Sequence, residues 1–156
     1  MYIGVIGAGR CDAKLFDIAY EVGRLIAQRG AILVCGGLGG VMEAACKGAK
    51  SAGGLTLGIL PSEDRKHANP YVNVVVPTGL GEARNALVVR TADVLIAVGG
   101  EFGTLSEIAL ALKVGKPVVG IGTWELAKGG RPVEAILIAK DPHEAVERAL
   151  RVSLKS

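Results

Sequence analysis

The chain has 156 residues, half of them apolar and only 4% aromatic, with 23 glycines and a net charge of +3. That length buries roughly two-thirds of the unfolded surface in one core, so residues 1–156 are expected to form a single domain. The charge is too small and scattered for a specific nucleic-acid partner, no apolar run reaches the ~20 residues of a membrane span, and three cysteines without a CxxC pair argue against a disulfide framework or a zinc site. The first residues lack a basic leader, which together with the cysteine pattern points to a reducing cytoplasm.

Residues 2–7 read as a first strand. Gly7-Ala8-Gly9-Arg10-Cys11-Asp12 follows as a turn with Asp12 as the helix N-cap, and Cys11 at that helix start is expected to have a lowered pKa. Leu15, Ile18, Ala19, Val22, Leu25 and Ile26 recur at helical spacing until Gly30 ends the helix. Residues 31–35 are a second strand, Gly36-Gly37-Leu38-Gly39-Gly40 a second turn, and Val41 to Ala52 a helix. A third strand spans 55–60, an exposed polar loop 61–70, and a short fourth strand 72–76.

Residues 81–92 read as a helix, and the apolar run 94–98 as a buried fifth strand. Gly99-Gly100-Glu101-Phe102-Gly103 breaks that strand, and a helix then continues to Gly115. A sixth strand covers 117–121, a loop with Trp124 covers 122–132, and a last strand 135–139. Asp141-Pro142-His143-Glu144 opens the final helix with an N-cap, Pro at the first position and an acid at the third.

Strands alternating with helices predict a three-layer α/β sandwich, a mostly parallel sheet of about seven strands with helices on both faces. Turns after parallel strands share one edge, and ligands bind there where strand order reverses. Gly7 and Gly9, Gly36, Gly37 and Gly40, and Gly99, Gly100 and Gly103 therefore converge as candidate phosphate- or nucleotide-binding positions. A phosphate and its sugar need close backbone approach that a Cβ would block, and helix starts offer unpaired N–H groups. The competing explanation is that the glycines only make tight turns. A dinucleotide fingerprint is excluded, because Asp12 occupies its third glycine position and no acid ends the second strand.

Two explanations stand for Glu107. Thr104-Leu105-Ser106-Glu107 fits a capping box, or Glu107 projects beside a bound phosphate within reach of its sugar. Arg84 is either a solvated or ion-paired helix residue or a bidentate phosphate ligand. His67 and His143 form no constellation, and no metal-ligand spacing is present.

Cys35-Gly36-Gly37-Leu38-Gly39-Gly40-Val41-Met42 resembles the G-G-G-x-x-G-[LV]-M turn of the LONELY GUY-type superfamily. That superfamily holds cytokinin-activating phosphoribohydrolases, proteins once labelled possible lysine decarboxylases, and molybdenum-cofactor carrier proteins. Arg84-Asn85 is placed like its R-K pair, and Gly100-Glu101-Phe102-Gly103-Thr104-Leu105-Ser106-Glu107 is similar to its P-G-G-x-G-T-x-x-E signature. Gly99 stands in place of Pro, Glu101 of Gly, Asn85 of Lys and Cys35 of Gly. The pattern looks closer to the short carrier-like branch. Glu101, a negative charge at a phosphate loop, weighs against a simple transfer of the enzyme activity.

The resemblance implies a Rossmann-like nucleotide-binding fold in a homo-oligomer, a dimer or tetramer. It implies functional roles for Glu107 and Arg84, a nucleotide-binding turn that includes Met42, and phosphate held by Thr104, Gly100 and Gly103. The expected function is binding of a nucleotide monophosphate or a molybdopterin-type ligand. The alternative is hydrolysis of the N-glycosidic bond of nucleoside 5′-monophosphates, with no cofactor required. There Thr104 and the helix start would fix the phosphate, Arg84 would orient the ligand, and Glu107 would position water and stabilise the cationic sugar transition state. Lysine decarboxylation would need pyridoxal phosphate and a Schiff-base lysine, which no feature supports.

Overall fold

An apolar run with no polar position needs cover on both faces, and the chain supplies it from both sides. The computed structural model describes residues 1–155. Its first half runs β1 (Tyr2–Gly7), α1 (Ala13–Gln28), β2 (Ile32–Cys35), α2 (Val41–Ser51), β3 (Thr56–Leu60) and β4 (Val74–Pro77). The second half runs α3 (Asn85–Thr91), β5 (Val94–Val98), α4 (Phe102–Lys113), β6 (Val118–Ile121), β7 (Leu126–Lys128), β8 (Arg131–Val133), β9 (Ile136–Ile138) and α5 (Pro142–Ser153).

Seven strands form one sheet in the order β4-β3-β2-β1-β5-β6-β9, with every neighbouring pair parallel. Alternate residues of β5 face opposite layers. Val94, Ile96 and Val98 pack with α1, α2 and α5, while Leu95 and Ala97 pack with α3 and α4. The expected three-layer sandwich is therefore present, and the seven-stranded sheet is wholly parallel. The chain builds outward from β1 to β4, then returns to the other side of β1 with β5. Gly7 pairs with Val98 in register, so the turns after β1 and β5 start side by side at the reversal of strand order.

Helices α1 and α2 touch backbone to backbone. A Cβ on Gly23 would lie 1.9 Å from the Ala45 carbonyl oxygen, and one on Gly48 would lie 1.9 Å from that of Tyr20. Gly23→Ala is expected to cost about 3 kcal/mol, the upper end for forcing a methyl into a packed interior. It should appear as a lower urea midpoint at unchanged slope, and an unchanged midpoint would mean that the helices part freely.

Asp12 accepts a hydrogen bond from the Leu15 amide at 2.8 Å, and Asp141 accepts one from the Glu144 amide at 2.8 Å, as their N-cap positions require. Three segments differ from expectation. The loop expected at 122–132 contains the antiparallel β7–β8 hairpin, turned by Gly129 and Gly130 at φ 59° and 78°. Positive φ at both central residues suits the twist of a two-residue hairpin turn. The helix expected at 81–92 opens as a 3-10 turn, Gly81–Arg84, before α3 begins. The polar segment 61–70 is not uniformly exposed, since it holds a 3-10 turn at Arg65–His67 and ends on buried Asn69. Among the described residues no helix is long and apolar enough to cross a membrane.

Candidate functional site

Two of the three glycine turns are tied to each other by a backbone hydrogen bond, and the third is held by a neighbouring loop. Val41 N–H donates to the Ala8 carbonyl at 3.1 Å, joining the start of α2 to the turn after β1. A Cβ on Gly40 would stand 2.3 Å from that same oxygen. The turn after β2 is held from outside by Asn69, whose backbone N–H donates to Gly37 O and whose side-chain Nδ2 donates to Leu38 O, each at 2.9 Å. The turn after β5 is held by the loop after β6. Thr123 Oγ1 donates to Gly99 O, and Trp124 Nε1 donates to Glu101 O at 3.1 Å.

These turns border a cleft of about 500 Å³. Of the candidate residues, Gly7, Gly9, Met42, Arg84, Gly103, Thr104 and Glu107 line it. Gly36, Gly37, Gly40, Gly99 and Gly100 do not. Gly36 packs behind the lining: a Cβ there would meet Arg84 Nη2 at 2.8 Å, so the glycine makes room for the guanidinium. Ala8, Arg10, Asn85 and Glu101 also line the cleft. Sequence reasoning placed none of these four among the site residues, although Arg10 and Ala8 lie inside a turn already singled out.

Helix α4 begins at Phe102 with Glu101 at the N-cap, and Glu101 caps no amide with its side chain. Thr104 is therefore the third helical residue and Glu107 lies in the second turn, too far along for a capping box. That explanation of Glu107 falls, as does its placement in the first turn. Helical spacing instead turns Glu107 inward, where it is buried beside Arg84.

Arg84 is 8% exposed at the end of its 3-10 turn. Nη1 donates to Asn85 Oδ1, Nη2 donates to Gly36 O at 3.4 Å, and Nε is buried without a hydrogen-bond partner. Burial pulls its pKa down, opposed by the Glu107 charge. Glu107 is 7% exposed and forms no ion pair or hydrogen bond among the described residues. Burial pushes its carboxyl up to about 7, with Arg84 acting in the opposite direction. The cleft thus pairs a buried cation that has an unused donor with a buried acid poised near neutrality.

The cysteines separate in kind. Cys35 and Cys46 are buried with Sγ atoms 3.4 Å apart, and Cys35 Sγ accepts from the Gly37 amide. Burial and the neighbouring Asp12 charge push the Cys11 thiol up, so the expected activation of Cys11 at the helix start is overturned. The helix N-terminus is outweighed by loss of solvent and by a like charge at the cap.

A parallel sheet between two helical layers, with a cleft where strand order reverses, defines a Rossmann-like three-layer α/β protein. The chain belongs to the SLOG cluster4 family, which matches residues 1–146. It is similar to the molybdenum cofactor binding protein of Rippkaea orientalis, at 39% identity and TM-score 0.86 over 99% of this chain and 97% of that one. It is also similar to the molybdenum cofactor carrier protein of Chlamydomonas reinhardtii, at 37% identity and TM-score 0.85 over 99% of both chains. A more distant relative is the cytokinin riboside 5′-monophosphate phosphoribohydrolase of Mycobacterium tuberculosis, 34% identical over 127 residues, 75% of this chain and 67% of that protein. The expected kinship with the LONELY GUY-type and carrier-like proteins is borne out.

Proposed function

We propose that the protein binds a phosphorylated nucleotide or pterin-type cofactor in the cleft between the turns after β1 and β5. The observation that carries this is Arg84, a buried cation that lines the cleft and whose Nε has no hydrogen-bond partner. Leaving such a donor unmade costs about 1–3 kcal/mol, so the fold keeps a cation at the cleft whose hydrogen-bonding capacity it does not use up. Gly103 and Thr104, in the first turn of α4, bring free amides and a hydroxyl to the same cleft, which suits a phosphate. Gly9 leaves the opposite wall open to close approach, while the missing Cβ of Gly7 makes room for Val41 behind it. The two relatives named for the molybdenum cofactor support a pterin-type ligand. Exposed Leu87 on α3 and Leu80 before it support a homo-oligomer.

Titration of the whole protein with AMP and GMP tests this reading. Thr104→Val is expected to weaken both by about tenfold, the loss of one charge-assisted hydrogen bond, and inorganic phosphate is expected to compete. Nucleotide binding that is indifferent to Thr104→Val and to phosphate would remove the cleft as the site.

Hydrolysis is the second reading, and Glu107 favours it. A buried, unpaired carboxyl with a pKa of about 7 can sit ionised beside a sugar at neutral pH, orient water and stabilise positive charge at C1′. The C1′–N bond would break, the base would leave with a proton from solvent, and hydroxide from water would complete ribose 5-phosphate. The phosphoribohydrolase relative supports it. Chromatography of nucleoside monophosphates incubated with the protein should then show free base, at a rate rising with pH through about 7. No free base from several substrates leaves the binding reading alone.

A further inference from the structure

The cleft does not end at Arg84. A second basin of about 590 Å³ lies on the far side of that residue, and Arg84, Asn85 and Gly103 belong to both. Each basin alone falls within the roughly 300–1,000 Å³ of small-ligand sites, so together they exceed what a phosphate and a pentose fill.

The chemistry of the two basins differs. The first has glycine backbone, Arg10 and Thr104, which can receive a phosphate, with the carboxyls of Glu101 and Glu107 at its edge. The second is walled by Leu38, Pro61 and Phe102, with Ser106, Asn85 and Glu82 as its polar groups. A second phosphate is poorly served there, because the basin has no cation of its own beyond the shared Arg84, whereas the first adds Arg10. Apolar walls with a few donors and acceptors suit a flat heterocycle carrying ring nitrogens and exocyclic groups.

Phe102 stands out on this wall. It is the first residue of α4 and is 75% exposed, a costly position for a phenyl ring unless something covers it. It is nevertheless not loose. The Trp124 ring lies 5.4 Å from it, centroid to centroid, at an interplanar angle of 37°, and the Trp124 indole is anchored on Glu101 O. One aromatic thus fixes the other beside the basin while leaving Phe102 largely open.

We propose that the second basin seats the heterocycle of the bound ligand, with Phe102 as its stacking surface, Arg84 and Asn85 flanking the sugar or linker, and the phosphate in the first basin. The ligand class is then a nucleobase or pterin joined to a phosphate through a short linker, laid across the Arg84–Asn85 saddle. This rests on the binding reading above, and the test separates the two.

The whole protein is titrated with inorganic phosphate, ribose 5-phosphate, AMP and GMP, following Trp124 fluorescence and heat. Phe102→Ala is expected to weaken AMP and GMP by about tenfold, the ordinary loss for removing a base-stacking aromatic, while phosphate and ribose 5-phosphate keep their affinities. Phe102→Tyr should restore nucleotide affinity, which a general loss of structure would not allow. AMP and GMP bound equally well by Phe102→Ala overturn the assignment of the second basin and leave the phosphate site standing. A native protein that binds none of the four probes overturns both. Phe102→Ala that shifts the sedimentation of the native assembly without touching nucleotide affinity assigns Phe102 to a subunit contact and likewise overturns the proposal.

Discussion

A Glu107→Gln protein is expected to outlast the native one in urea at pH 8 and to match it at pH 4. Burial raises the Glu107 pKa from 4.5 to about 7, so between those values the folded chain holds a proton that the unfolded chain has released. A folded state that binds more protons loses stability as pH rises, and the loss is complete once pH passes the folded value. A difference of about 2.5 units amounts to roughly 3 kcal/mol at pH 8. Glutamine keeps the shape and cannot ionise, so this loss disappears and the variant lacks the native fall in midpoint as pH rises through about 7. Urea midpoints from pH 4 to 8.5 decide the matter. Parallel curves for the two proteins would show that Glu107 ionises without cost, and hence that the cleft hydrates it freely. A residue that destabilises its own fold at neutral pH is the pattern of a group kept for work on a ligand.

Arg84→Ala is expected to lower affinity for AMP by about a hundredfold, because it removes the cation shared by both basins and leaves Arg10 to offset Glu101 and Glu107 in the first. Arg84→Lys should recover little. An ammonium cannot reproduce a planar fork that reaches Gly36 O and Asn85 Oδ1 at once. The same substitution has a second readout. Arg84 is the influence holding the Glu107 pKa down, so Arg84→Ala should move the Glu107 titration above its native value of about 7. Carboxyl chemical shifts followed across pH would show it. An Arg84→Ala protein with native AMP affinity would place the ligand elsewhere.

Much of this arrangement is legible in the residues. β1 and β5 have the bounds their apolar runs predict, and Asp12 and Asp141 cap the helices their spacing assigns. Strands and helices alternate plainly enough to place the glycine turns on one edge. What stays hidden depends on distant contacts. Asn69 reads as loop, and its grip on Gly37 and Leu38 arises only when a segment 31 residues away folds over the turn. The β7–β8 hairpin has strands of three residues, too short for an alternation to register, although Gly129-Gly130 carried a turn signal. The capping-box explanation of Glu107 failed for a geometric reason. The helix starts at Phe102, two residues before Thr104, and this carries Glu107 past the first turn and into the interior. Division of the glycines into those that line the cleft and those that do not also needs the fold, since all of them look alike in a turn.

The interlock of α1 and α2 has a consequence for how the cleft can breathe. Two helices in backbone contact through Gly23 and Gly48 cannot slide without losing that fit, so their layer moves as one body, and the turns after β1 and β2 move with it. The opposite layer has no such lock near the site. It reaches the cleft through a 3-10 turn of four residues and the seven-residue α3, held in place by buried Val88 and Val89. The cleft therefore lies between two unlike sides: an interlocked helix pair behind the turns after β1 and β2, and two short elements that carry Arg84 and Asn85.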